Sequence, residues 1–341
     1  MERFAGSLQA FRRVFANRRV RKLQIAAVGS TLGMWAYAVA LPVYAYHAGG
    51  ARAVGLIYFA RFVAGAIATP WFGVVADRWS RRRLMLAADV VRAGIFAAMT
   101  LVAVADGNAY IVYVLAVTSV VVGCAYAPAQ GALLPLLVDT PEELTAANVV
   151  SNSISSISMF VGPALGGVLL ALSGPAAVFA FNGVLLVWSA VFVIQVPRDK
   201  PPARTKRPRF LPDLVAGFAT VLRLPALRVV IGLTGAQTVV TGAVEVLIVV
   251  VALQLLHAGN AGVGWLNSAI GIGCLAGAGA VAVVSARRRL AGGFALGMLV
   301  TAIPIAVAAA FSTLAPALVL FALFGAGTVL VEVGGMTLLQ R

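Results

Sequence analysis

The chain has 341 residues, of which 61% are hydrophobic and only 11% charged, and its mean hydropathy is +0.98. A soluble domain carries roughly 25% charged residues, so this composition excludes a water-covered globule and reads as an all-α, polytopic membrane protein. The net charge of +15 falls in short clusters between apolar runs, with no base-reading face or aromatic platform; this argues against nucleic acid as a partner and for positive charge retained at the cytoplasmic face of a bilayer.

Residues 1–22 are basic. Phe4, Leu8, Phe11 and Phe15 fall at helical spacing among Arg3, Arg12, Arg13, Arg18 and Arg19. This pattern suits either a short amphipathic helix on the anionic leaflet or a disordered basic tail. The apolar run that follows is too long for a signal-peptide core.

A spanning helix needs about 20 mostly apolar residues. Ten segments meet that length: 23–47, 53–76, 84–105, 109–136, 145–172, 175–196, 226–256, 261–285, 290–312 and 315–339. Turn and charge signals divide them, among them Gly49-Gly50, Asp106-Gly107-Asn108, Gly174-Pro175 and Gly259-Asn260. Between the sixth and seventh lies 197–225, a basic stretch with Pro197, Pro201, Pro202, Pro208 and Pro212 that cannot build a core and is expected to run along the membrane surface. The predicted organisation is therefore a basic segment 1–22, a six-helix bundle 23–196, a cytoplasmic linker 197–225 and a four-helix bundle 226–341.

With the N-terminus in the cytoplasm, all of the 26 Lys and Arg residues except Arg52, Arg61 and Arg92 fall on the cytoplasmic side. The positive-inside rule then fixes the orientation in a bacterial-type inner membrane. The two parts read as repeats. His47-Ala48-Gly49 and Val54-Gly55 recur as His257-Ala258-Gly259 and Val263-Gly264, and Arg81-Arg82-Arg83-Leu84 recurs as Arg287-Arg288-Arg289-Leu290 at a near-constant offset. Such parallel repeats are a transporter feature. Six segments against four lead to the expectation that the sequence is a piece of a protein of twelve, with two more after Arg341.

The loop after the second segment reads Gly73-Val74-Val75-Ala76-Asp77-Arg78-Trp79-Ser80-Arg81-Arg82-Arg83. Gly73 would permit close backbone approach. Asp77 can accept from a helix N-terminus and pair with arginine, forming a charged latch with Arg78, Arg81 and Arg82. The bland alternative is that the arginines only hold the loop inside. This loop resembles the signature of the major facilitator superfamily, with Ser80 where the family often has glycine. In the fifth segment Gly162-Pro163-Ala164-Leu165-Gly166-Gly167 combines a proline that removes a helical donor with glycines that admit a neighbour. It resembles the antiporter motif of exporters in that superfamily, a drug–proton antiporter or enterobactin-exporter-like branch. Ala87-Ala88-Asp89-Val90-Val91-Arg92 in the third segment and Ala147-Asn148 in the fifth fit the same branch. No arginine stands in Thr118–Gly123, where the superfamily has a basic motif. Some relatives continue into a cytosolic cyclic-nucleotide-binding domain, which these residues do not include.

The resemblance implies two pseudo-symmetric helix bundles, ten of twelve helices being present, that work by alternating access on a small-molecule substrate, with protons as coupling ion and the lipid bilayer as solvent. Ionisable groups inside a membrane cost several kcal/mol unless paired or wetted. The candidate proton or substrate residues are Glu245, Glu332, Asp89, Arg92, Asn148 and Asn152. Glu245 has no sequence-local cation. Asp89 and Arg92 can pair on one helix face, and Arg61 can join them. Asn148, Ser151, Asn152, Ser155, Ser156 and Ser158 form a stripe that faces either a helix neighbour or a cavity. His47 and His257 sit at external helix ends. Cys124 and Cys274 are isolated in apolar runs. No P-loop, metal-ligand spacing or nucleophile–base pair is present, so neither an enzyme, a metal nor a cofactor is expected. Export of an apolar or amphipathic molecule is the leading expectation. Uptake or facilitated diffusion is the alternative, as is a non-transporting sensor or anchor for a missing cytosolic nucleotide-binding domain.

Overall fold

A computed structural model describes residues 16–76, 79–199, 225–285, 290–308 and 313–339. Regular structure among them is entirely helical. The expected amphipathic segment over residues 4–15, most of the 197–225 linker and the Arg287–Arg289 cluster lie outside the described residues.

The stretch Arg18–Ala76 is two helices, α1 over 18–48 and α2 over 51–76, joined at Gly49 (φ −163°, ψ 23°) and Gly50 (φ 64°, ψ −164°). A left-handed φ followed by an extended ψ is cheap only without a Cβ. Helix α1 begins ahead of the apolar run because Asn17 Oδ1 accepts from the N–H groups of Arg19 (3.0 Å) and Val20 (3.5 Å). Its basic first turns are therefore helical. Helix α3, Arg81–Val104, starts at the cap Ser80. Helix α4 runs in two stretches, Ala109–Gly123 and Tyr126–Leu133, broken by a turn at Cys124 and Ala125. Pro141–Val193 divides at Gly174 (φ 73°) into α5 over 141–173 and α6 over 175–193. Thr140 Oγ1 accepts from Glu143 N (3.2 Å), and a Glu143 carboxylate oxygen accepts from Asp139 N (3.1 Å), a reciprocal cap at the start of α5. Backbone dihedrals stay helical through Pro163.

These helices belong to one compact unit, Met1–Ala203. In the second, Arg204–Arg341, α7 spans Pro225–Val250 and ends in a π turn, Val251–Leu255. His257 (φ 49°) and Gly259 (φ 64°) turn the chain into α8, Gly259–Ser285, followed by α9, Leu290–Ala308, and α10, Leu314–Leu339. The α1–α2 and α8-opening turns both use a positive-φ glycine, Gly50 just after the first His-Ala-Gly and Gly259 within the second.

Among the described residues, five helical stretches, Arg18–Gly73, Arg81–Val104, Ala109–Leu136, Pro141–Val193 and Leu314–Val331, are long and apolar enough to cross a membrane. Lipid is as apolar as leucine, so close packing and hydrogen bonds must hold such helices together. Glycine supplies the packing. A Cβ at Gly162 would lie 2.5 Å from Trp35 Cβ, and one at Gly166 would strike the Ala36 backbone, so α5 lies directly on α1. On its other side α1 presents Gly29 to Leu185 and Trp188, and Gly33 to Asn182, all on α6. In the second unit Gly273 and Gly277 meet Ala322 and Ala326, joining α8 to α10, while Gly297 and Gly327 join α9 to α10. Towards the chain's N-terminal side of the first unit, Leu23, Met85, Leu133, Ala147 and Val193 close an apolar core.

Candidate functional site

Polar groups of the first unit gather in three places. The first is the junction of α3 with the end of α6. Asp199 sits across the N-terminus of α3. Its Oδ2 accepts from Arg81 N (2.7 Å), and its Oδ1 accepts from Ser80 Oγ (2.7 Å) and Arg82 N (3.2 Å). Arg81 Nη1 adds an ion pair at 3.9 Å. Burial alone would raise the pKa of Asp199, but these hydrogen bonds outweigh it and hold the carboxyl below its ordinary value. In return, the Arg82 guanidinium donates to Val193 O and Ile194 O, and Lys22 Nζ donates to Gln195 O (3.3 Å). A carboxylate thus caps one helix N-terminus while cations cap a C-terminus, each matching the helix dipole.

Arg81 and Arg82, two of the expected latch residues, join α3 to the end of α6. Asp77 and Arg78 lie outside the described residues. Gly73 is half-buried near the end of α2, and a Cβ there would meet open space.

The second place is the α1–α5 contact. Gln24 is wholly buried; Nε2 donates to Ala147 O (3.1 Å) and Ser151 Oγ (2.9 Å), and Oε1 accepts from Ser151 Oγ (3.1 Å). Thr31 and Ser158 hydroxyls meet at 3.1 Å. The polar stripe of α5 therefore splits. Ser151 and Ser158 face α1, while Asn148, Asn152 and Ser155 are exposed. Of the antiporter-like residues, Gly162, Pro163, Gly166 and Gly167 are all buried, and Gly162 and Gly166 bring α5 onto α1.

The third place is the bundle interior. Asp89 is 0% exposed; its Oδ2 accepts from Ser189 Oγ (2.6 Å), which lies 3.3 Å from the Tyr126 hydroxyl. Arg92 is buried one turn further on, beside Gly123 of α4. The predicted Asp89–Arg92 pair is not a direct one. Asp89 Oδ1 and Arg92 Nε have no hydrogen-bond partner. The Arg61 guanidinium stands over the rings of Tyr37 (5.3 Å) and Tyr58 (5.5 Å).

Elsewhere, a groove of about 760 Å³ runs between α2 and α4, with Arg52, Tyr110 and Tyr113 at its polar part and Leu56, Ile57 and Val117 along its apolar part. Glu245 on α7 is half-buried and engaged in a hydrogen-bonding or electrostatic interaction, so it is not the lone acid its sequence neighbours suggest. Glu332 lies on α10, and its side chain is outside the described residues. His47 and His257 are exposed; His47 Nδ1 lies 2.8 Å from Val43 O. Among the described residues no three His, Cys, Asp or Glu side chains come together as a metal site.

Sequence reasoning missed Asp199, Gln24, Tyr126 and Ser189. Asp199 had a signal: an acid set between Arg198 and Lys200. Ser189 and Asn182 had a weaker one, polar residues seven apart on one face of an apolar helix.

The family model "Major Facilitator Superfamily" matches residues 23–341. The chain belongs to the Major Facilitator Superfamily. It is thus a multi-pass membrane protein of a transporter family, not of an enzyme family. Macrolide efflux protein A of Streptococcus pyogenes is 26% identical over 176 residues, 51% of this chain and 43% of the relative. The putative bacilysin exporter BacE of Bacillus subtilis is 30% identical over 142 residues, 41% of this chain and 35% of the relative. The matches therefore span less than half the length of either relative. Among solved structures, the nucleoside transporter NupG superposes with a TM-score of 0.74 at 12% identity, covering 95% of this chain and 82% of NupG. The POT family transporter PepTSo gives 0.65 at 15% identity, covering 94% and 83%. At such identities the likeness is one of fold.

Proposed function

We propose that this superfamily member is a secondary active transporter of a bacterial-type inner membrane, N-terminus cytoplasmic, that exports a small apolar or amphipathic molecule in exchange for protons by alternating access. The observation that carries the reading is the pair of efflux relatives, Macrolide efflux protein A and the putative bacilysin exporter, matched by a chain with the buried Gly162–Gly167 motif on α5. The mixed apolar and tyrosine lining of the α2–α4 groove suits an amphipathic solute. Asp77 and Arg78 act with Arg81 and Arg82 as a latch that holds one state, and Glu245 and Glu332 are the carboxyls of the second unit nearest the transported solute.

The direct experiment is uptake of radiolabelled erythromycin, together with an amphipathic dye panel, into inverted vesicles energised by an inward-acid pH gradient. Accumulation that collapses with the gradient supports proton-coupled export. Accumulation only in right-side-out vesicles would identify uptake instead, and binding without flux would identify a sensor. Glu245→Gln and Asp77→Asn, inserted at normal levels, are expected to lose at least about 90% of the gradient-driven flux; full flux in both removes their assigned roles.

A further inference from the structure

We propose that Asp89 Oδ1 is a proton-binding atom in the interior of the first unit, and that Arg92 is the counter-ion this carboxylate gains on losing the proton. Its use in transport rests on the proton-coupled export proposed above.

Asp89 sits on the membrane-spanning helix α3 and is wholly buried. One carboxylate oxygen is satisfied, since Ser189 Oγ donates to Oδ2 at 2.6 Å. The other, Oδ1, accepts from nothing among the described residues. A buried carboxylate oxygen without a donor is costly, and charge makes it costlier. Three residues along, Arg92 has the complementary defect: its Nε–H is buried and donates to nothing. A polar cluster kept only for packing closes its hydrogen bonds. Here an acceptor and a donor stand open on one helix face.

The groups around the pair come from every side of the bundle. From α4 the Tyr126 hydroxyl lies 3.3 Å from Ser189 Oγ, which is on α6. From α1 the Tyr37 hydroxyl is buried and unpartnered, and from α2 the Arg61 guanidinium covers the Tyr37 ring. Arg92 interacts electrostatically with Asp89, Tyr126, Tyr37 and Arg61. The open bonds can close in two ways. With Asp89 ionised, Arg92 turns its N–H groups to Oδ1, as residues three apart on a helix can. With a proton from water bound at Oδ1, the carboxyl is neutral and Arg92 is released. The step is one proton gained from water and one returned, with no electron transferred. Arg92 abuts Gly123, where an added Cβ would lie 3.6 Å from Nε, and Gly123 precedes the break in α4. The proton therefore decides whether Arg92 is held to α3 or rests against α4, which gives this helix contact two discrete arrangements.

The test needs no transported solute. The full chain, reconstituted in liposomes, is titrated between about pH 5 and pH 9 by infrared difference spectroscopy, reading the C=O stretch of protonated carboxyls. A component that grows on acidification in the wild type and vanishes in Asp89→Asn is expected. Ser189→Ala should move that band and raise its midpoint. Arg92→Gln should raise the midpoint by at least about tenfold in proton affinity, with Arg92→Lys restoring most of it. If Asp89→Asn does not insert, the Ser189 and Arg92 variants carry the test alone. Identical spectra for wild type and Asp89→Asn, or a midpoint unmoved by Arg92→Gln, would overturn the proposal. Erythromycin counterflow in the same liposomes separates the two readings. Titration without counterflow leaves this site standing and removes macrolide export. Gradient-driven flux in a protein whose Asp89 does not titrate removes the site and leaves export.

Discussion

Asp199 shows how one side chain can join two helices. It gathers two backbone N–H groups and the Ser80 hydroxyl at the head of α3, and its side chain is only 4% exposed. Hydrogen bonds to a charged acceptor contribute about 1.5–3 kcal/mol. Asp199→Asn keeps the shape and loses the charge, so its thermal midpoint at neutral pH should fall by an amount worth about 1–3 kcal/mol. The pH dependence follows from the depressed pKa. The stabilisation is complete above the carboxyl's unfolded pKa and is lost as pH falls through the lower, folded value. The gap between wild type and Asp199→Asn, measured by differential scanning fluorimetry in detergent, should stay constant near neutrality and close below about pH 4. A gap that persists undiminished at the acid end would mean that the charge contributes nothing. Such a cap was hard to see in the sequence. An acid among arginines looks like one more solvated charge until the fold carries the end of α6 to the start of α3.

At the level of helices, the turns were legible and the pairings were not. Gly49-Gly50, Gly174 and Gly259 mark chain reversals because each break needs a residue that tolerates a positive φ or an abrupt change of dihedral. The boundaries consequently fall within a few residues of the apolar segments, except at α1, where the Asn17 cap draws basic residues into the helix. Which faces meet could not be read so easily. In lipid a helix needs no polar side, so apolar periodicity carries little information about rotation. Gly162 and Gly166 could be read as a packing surface, but not that α1 would be the partner. Nor could Asp89 be connected to Ser189 and Tyr126, which lie far along the chain on other helices. The glycine contacts make a sharp contrast. Gly166→Ala drives a methyl group into the Ala36 backbone, whereas Gly55→Ala meets open space. The first should cost about 1–3 kcal/mol, as overpacking does; the second should be neutral or slightly stabilising through helix propensity. Thermal unfolding of both variants checks this, and equal effects would argue against a tight α1–α5 contact.

Over the whole chain, the charge asymmetry of the sequence carries the proposed orientation. Asp199, Arg82 and Lys22 meet at one junction of the first unit, the start of α3 with the end of α6, and Arg52 lies beside the turn at Gly50. Translocating clustered Lys and Arg is costly, and the proposed orientation, with the N-terminus cytoplasmic, rests on that rule. Arg52 and Arg198 are both exposed, which makes them a matched pair of reporters. In a background with Cys124→Ala and Cys274→Ala, Arg52→Cys should react in intact cells with a membrane-impermeant maleimide. Arg198→Cys should react only after the membrane is opened. If the pattern is reversed, the α3–α6 junction stands outside the cell. The Arg81–Arg82 latch could then no longer be a cytoplasmic closure, and the direction assigned to transport would reverse with it.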